Sequence, residues 1–125
     1  MRTGNVVIAL PPDERAAAAL LRSGRRVASQ LGTGWIAVFI ARSTGAIARM
    51  RELVVSFGGE LIAAAADDVA SAVVDLSSRE GAQLLVIGRS RRPRLLRRLV
   101  RGTTSHILRA PRAFDVMVAP PGGER

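Results

Sequence analysis

The sequence predicts an α/β domain: an open, five-stranded parallel sheet in a three-layer α/β/α arrangement. Three observations lead there. Five short runs are apolar end to end and rich in β-branched residues, as strands buried on both faces are. Longer segments with apolar residues at helical spacing alternate with them. Asp, Pro and Gly stand at the positions where such helices start and stop. This alternation places helices on both faces, joined by right-handed crossovers. A chain of 125 residues with 48% apolar composition is long enough for one core. Residues 1–119 read as that single domain and residues 120–125, PPGGER, as a flexible tail.

Residues 5–10 (NVVIAL) form the first strand, stopped by Pro11 and Pro12. Asp13 is the N-cap of a helix running to about Leu31, and Gly32 ends it in a left-handed turn. Leu20, Leu21, Gly24, Val27, Ala28 and Leu31 make the stripe of this helix that faces the sheet, with Arg15, Arg22, Arg25 and Arg26 on its other faces. Residues 35–41 (WIAVFIA) are the second strand, with Trp35 and Phe39 read as core. Ile47, Met50, Leu53, Val54 and Phe57 mark a second helix, closed by Gly58 and Gly59. Residues 60–65 (ELIAAA) are a weaker third strand. Asp67 and Asp68 are cap candidates for a third helix, with Val69, Ala72, Val73 and Leu76 inward and Gly81 as its stop. Residues 83–88 are the fourth strand. Gly102, Thr103 and Thr104 open a short fourth helix to about Ala110, and residues 114–119 (FDVMVA) are the fifth strand.

Charge is concentrated in one place. Between Gly88 and Arg112 there are nine arginines and no acid, while elsewhere ten arginines balance ten acids, so the net +9 belongs to that window. Cysteine and lysine are both absent. That excludes disulfides, thiolate chemistry, Schiff bases and the lysine of a Walker loop. With one histidine and no acidic cluster, no metal site is expected. His106 has no carboxylate or nucleophile beside it in sequence, and it reads as a surface or cap residue. The start MRTGNVVIALPPDE lacks the pattern of a signal peptide, and no apolar run approaches the roughly 20 residues of a membrane span. A cytoplasmic location is expected, for a free protein or for one domain of a longer one.

If the strand order is 3-2-1-4-5, ligands belong beyond the carboxyl ends of the first and fourth strands, where the order reverses. The walls there are the turn from Leu10 to Asp13 and the segment 88–104. Gly88, Gly102, Thr103 and Thr104 suit an anion cradle of backbone N–H groups, hydroxyls and a helix N-terminus. The same residues also read as a plain loop with a capping threonine. Arg89, Arg91, Arg92, Arg94, Arg97, Arg98 and Arg101 form a basic recognition segment. Their planar forks suit phosphates and carboxylates alike. Specific nucleic-acid binding is not expected, because no aromatic residue interleaves with these arginines.

The run GRS…GTTSHILRAPRAFDVMVAP resembles the closing motif of the universal stress protein family. More closely, residues 6–119 resemble the universal-stress-like domain in KdpD-type potassium-responsive sensor histidine kinases. The resemblance is carried by IGRSRRPR (87–94), DDVASAVVDLSSREGAQLLVIG (67–88), GRRVASQLGTGWIAVFI (24–40) and FDVMV (114–118). It implies an adenine nucleotide alpha-hydrolase-like fold and a phosphate site at Gly88, Ser90, Arg91, Gly102, Thr103 and Thr104, with Leu10 and Val38 at the nucleotide pocket. Two positions depart from the pattern. No acid directly follows the first strand, where Leu10, Pro11 and Pro12 precede Asp13, and Arg91 replaces a customary glycine. Ser90 matches part of one element used for cyclic di-AMP, but the tyrosine-containing element is missing, so ATP is the better-matched cofactor. The resemblance implies a non-catalytic sensory domain whose basic segment meets a nucleotide phosphate or an acidic protein, another universal stress protein included. The alternative is a stand-alone universal stress protein that binds ATP as a homodimer through residues 114–119.

Overall fold

Strand β1 (Asn5–Ala9) lies in the middle of the sheet and is buried at every position. The computed structural model describes residues 5–88 and 115–119. In chain order the other elements are α1 (Glu14–Leu31), β2 (Trp35–Ile40), α2 (Thr44–Ser56), β3 (Leu61–Ala64), α3 (Val69–Arg79), β4 (Ala82–Gly88) and β5 (Asp115–Ala119). The strands form one parallel sheet in the order β3-β2-β1-β4-β5, as the alternation of elements predicts. The fourth predicted helix, His106 and Phe114 lie outside the described residues.

Successive strand residues point to opposite faces, so β1 contributes to two cores at once. Val6, Ile8 and then Leu10 pack with Ala17, Leu20, Leu21 and Ala28 of α1 and with Met50 and Val54 of α2. Val7 and Ala9 pack on the other face with Ile36, Val38, Ile40, Leu85, Ile87 and Val73 of α3. Each large side chain sealed in this way contributes roughly 1.5–3 kcal/mol relative to leaving it in water. The layers are therefore α1 and α2 on one face, the sheet, and α3 on the other.

The caps follow the local chemistry. Asp13 accepts a hydrogen bond from the Ala16 N–H at 2.8 Å, and Asp68 from the Ser71 N–H at 3.1 Å. Ser43, which the sequence reading passed over, caps α2 through the Ala46 N–H at 3.2 Å. Gly32 at φ 70° and Gly81 at φ 69° make the left-handed turns after α1 and α3.

Two helix faces differ from expectation. Leu31 belongs to the inward stripe of α1 by spacing, yet it is 49% exposed. It is the last residue of the helix, where the chain already turns away toward β2. On α3 only Val73 of the four expected inward residues is fully buried, while Val69, Ala72 and Leu76 are half-buried. Val69, Ala72 and Leu76 pack against the margins of the core that holds Val73. The other sealed residue of α3 is Ser77, whose Oγ donates to the Val73 carbonyl at 2.7 Å and so satisfies itself locally. The strands differ from prediction only at their ends.

Four tertiary contacts lock the frame. A methyl built on Gly24 would stand 2.4 Å from Ile8 Cδ1, so α1 lies against β1 as closely as a glycine allows. The Trp35 ring covers Gly59 in the same manner, 2.1 Å from where a Cβ would stand. Arg51 of α2 donates from Nη1 to the Leu61 carbonyl of β3 at 3.1 Å. Also at the amino end of the strands, the buried Asn5 side chain donates to the Glu80 carbonyl at 3.2 Å and ties β1 to the turn before β4.

The Gly24 contact makes a stability prediction. Gly24→Ala gains up to about 1 kcal/mol of helix propensity, yet it must displace a fully buried isoleucine, which costs roughly 1–3 kcal/mol. A net loss is expected in chemical denaturation. In the double variant with Ile8→Ala the losses should be less than additive, because the new methyl then occupies the space that Ile8 vacates.

Candidate functional site: the carboxyl rim of the sheet

The chain winds outward from β1 to β2 and β3, then crosses back to β4 and β5. The reversal falls between β1 and β4, which places a crevice at their carboxyl ends. The last paired residues there are Ile8 and Val86, and two positions further along come Leu10 and Gly88. The Leu10 N–H continues the ladder by donating to the Val38 carbonyl at 2.9 Å. Leu10 and Val38 are thus neighbours along the backbone, each only 1% exposed. Their side chains part company, with Leu10 in the core beneath α1 and α2 and Val38 in the core beneath α3.

Gly88 ends β4 opposite Ala119 of β5 and is half-buried. Its backbone does not require a glycine, since the positive-φ residues among those described are Gly32, Gly58 and Gly81. Neither does its packing, because a Cβ added to it meets nothing within 4 Å. The space above the backbone at the end of β4 is open, as close approach by a ligand requires. Ser90, Arg91, Gly102, Thr103 and Thr104, and likewise Arg89, Arg92, Arg94, Arg97, Arg98 and Arg101, lie outside the described residues.

Helices α1, α2 and α3 all begin at this rim, and each helix N-terminus carries partial positive charge. Their first turns are already served by Asp13, Ser43 and Asp68. Asp13 commits one carboxylate oxygen to its own helix. Two further pairs were not legible in the sequence, since each joins residues distant along the chain. Arg42 pairs with Asp67, both well exposed, and Arg49 meets Glu14 at 3.3 Å. Exposed pairs of this kind contribute little stability. They do set the local balance, for among the described residues Asp13, Glu14, Asp67 and Asp68 outnumber Arg15, Arg42 and Arg49 at this rim. A bound anion would have to draw its positive partners from elsewhere, and the chain leaving Gly88 is the arginine-rich one. Among the described residues no group of acids and histidine is placed to hold a metal.

The Gly88 environment yields a direct test. Gly88→Ala should change unfolding free energy by no more than about 1 kcal/mol, the span of strand propensities. Thermal melts of the two proteins would check it.

Comparison with known proteins now gives this geometry a setting. No family model matches the chain. In sequence it is 32% identical over 114 residues, 85% of its length, to the sensor protein KdpD of Mycobacterium tuberculosis strain H37Rv. It is 31% identical over the same share to KdpD of strain CDC 1551. The chain spans 13% of the length of these relatives. In structure it matches a universal stress protein in complex with cAMP, at a TM-score of 0.65 and 16% identity, covering 97% of this chain and 99% of that one. It also matches the universal stress protein of Archaeoglobus fulgidus in complex with dAMP, at 0.60 and 18%, covering 93% and 98%. The chain therefore has the universal stress protein fold, and its sequence is similar to one segment of the KdpD sensor proteins.

Proposed function

We propose that this chain is a non-catalytic sensory domain that binds the phosphate of an adenine nucleotide at the crevice between β1 and β4. The observation that carries this reading is the open space over Gly88 at the point where strand order reverses. Two structural neighbours hold cAMP and dAMP, which supports an adenine nucleotide as the ligand class. The similarity to KdpD supports a sensory role in a cytosolic domain, with kinase activity residing in other parts of such a protein. Gly88, Ser90, Gly102, Thr103 and Thr104 supply N–H and O–H donors to the phosphate, and Arg91 with its neighbouring arginines supplies the charge that the rim lacks. ATP is the first cofactor candidate and cyclic di-AMP the second. Ligand occupancy would bias a partner domain only through different affinity for two states of this one.

A second reading rests on the charge itself. Nine arginines without an acid repel one another unless an anion joins them, and an acidic protein meets that need as a nucleotide does. The stand-alone alternative, a homodimer through residues 114–119, is supported by the place of β5 at the end of the sheet, paired on one side by β4.

Calorimetric titration with ATP, AMP and cyclic di-AMP separates these readings. Saturable micromolar binding of ATP or AMP is expected, weakened at least about tenfold in Gly88→Val, which blocks backbone approach at a position that tolerates a side chain. Silence toward all three nucleotides, with salt-sensitive capture of an acidic partner, would transfer the site to protein docking. Release of ADP or AMP from ATP would refute the non-catalytic claim.

A further inference from the structure

Away from the rim, the outer face of α1 carries a line of charge with nothing opposite it. Arg15, Arg22 and Arg26 are all exposed. At 100° per residue they fall within about 20° of a single line along the helix. That line lies opposite the seam of Leu20, Leu21, Gly24 and Ala28 that faces the sheet. The rise of a helix spaces them about 10.5 Å and 6 Å apart. The acid of this helix, Glu14, is engaged with Arg49, and Arg25 is turned aside to the Phe57 carbonyl and ring. Among the described residues no acid pairs with Arg15, Arg22 or Arg26. Alanines 18 and 19 lie between the first two arginines, so the helix backbone there is approachable.

We propose that this face of α1 is a docking surface for an acidic α-helix of another protein, laid along it with carboxylates facing Arg15, Arg22 and Arg26. The argument is charge complementarity in a helical pattern. Guanidinium forks pair carboxylates bidentately, and two helices approach closely where one presents alanines at the crossing. A lipid surface fits less well. Ala18, Ala19, Ser29 and Gln30 fill the face between and beyond the arginines, so no long apolar side chain is present to enter a bilayer. Three basic residues alone give weak membrane attachment. Two copies apposed through this face would set their own Arg15, Arg22 and Arg26 against one another.

The test is fluorescence anisotropy with a labelled helix-forming peptide that carries glutamates seven and four residues apart on one face and alanine elsewhere. Binding should weaken as salt rises, over the range in which the screening length falls from about 10 Å at 0.1 M to about 3 Å at 1 M. The triple variant Arg15→Gln, Arg22→Gln, Arg26→Gln should lose roughly tenfold or more in affinity. The variant Arg79→Gln, at the exposed end of α3 on the other face of the sheet, should bind the peptide as the parent does. Amide shift changes on peptide addition should cluster on α1. Unchanged affinity in the α1 variant, equal binding of a glutamine-for-glutamate peptide, or shifts confined to other elements would overturn the proposal. So would sedimentation with phosphatidylglycerol vesicles that the α1 variant abolishes while peptide affinity stays the same. Arg22→Glu alone provides a second variant, expected to bind worse than Arg22→Gln, and circular dichroism melts confirm that each variant folds. ATP titration of the α1 variant should match the parent, which keeps this surface distinct from the nucleotide site.

Discussion

A strand with no solvent face holds this domain together. Val6, Val7 and Ile8 of β1 are each fully buried, because alternate residues enter different cores. A polar residue at any of the three would leave an unsatisfied group in one core or the other, which costs about 1–3 kcal/mol. The same strand bonds to β2 on one side and β4 on the other, so its register aligns the carboxyl ends that make the rim. Glycine at position 24 lets α1 settle against Ile8, which fixes where Asp13 and the first turn of that helix stand. The crevice therefore inherits its geometry from packing that occurs well below it.

Electrostatically the rim and the arginine-rich segment divide the work. The described rim presents carboxylates, most of them used as helix caps or in ion pairs with Arg42 and Arg49. The surplus of arginine lies between Gly88 and Arg112, and the sequence joins that segment to the rim directly at Gly88. On the proposed reading shape and charge are separate, the sheet supplying the rim and the arginine-rich segment after β4 the cations.

Much of the fold was legible because the signals that specify it are local. Pro11, Asp13 and Gly32 bound α1 by their own backbone and side-chain chemistry, and the structure uses Asp13 and Gly32 as expected. The apolar runs NVVIAL and WIAVFI mark strands that must be sealed on both sides. What escaped was tertiary. Nothing near Leu31 in sequence says that the sheet no longer lies beneath it. Gly24 was read as part of an apolar stripe, whereas the close approach of Ile8 is what its missing Cβ permits. At the candidate site, Gly88 was legible from its place after an apolar strand. The divergence of Leu10 and Val38 into opposite cores was not, because it depends on the pleat phase of two separate strands.

The contact between Arg51 and the Leu61 carbonyl has a consequence for how far such sheets can extend. The Glu60 and Ala64 carbonyls turn inward to β2, so the Leu61 carbonyl points off the end of the sheet, and a guanidinium already occupies it. An incoming strand on that side would meet a Leu61 carbonyl already engaged by a guanidinium. The β5 side has no such obstacle among the described residues. Two copies joined there would each turn a β3 margin outward, both stoppered by Arg51. The β3 margin is thus blunted against edge-to-edge pairing by a side chain of the same domain.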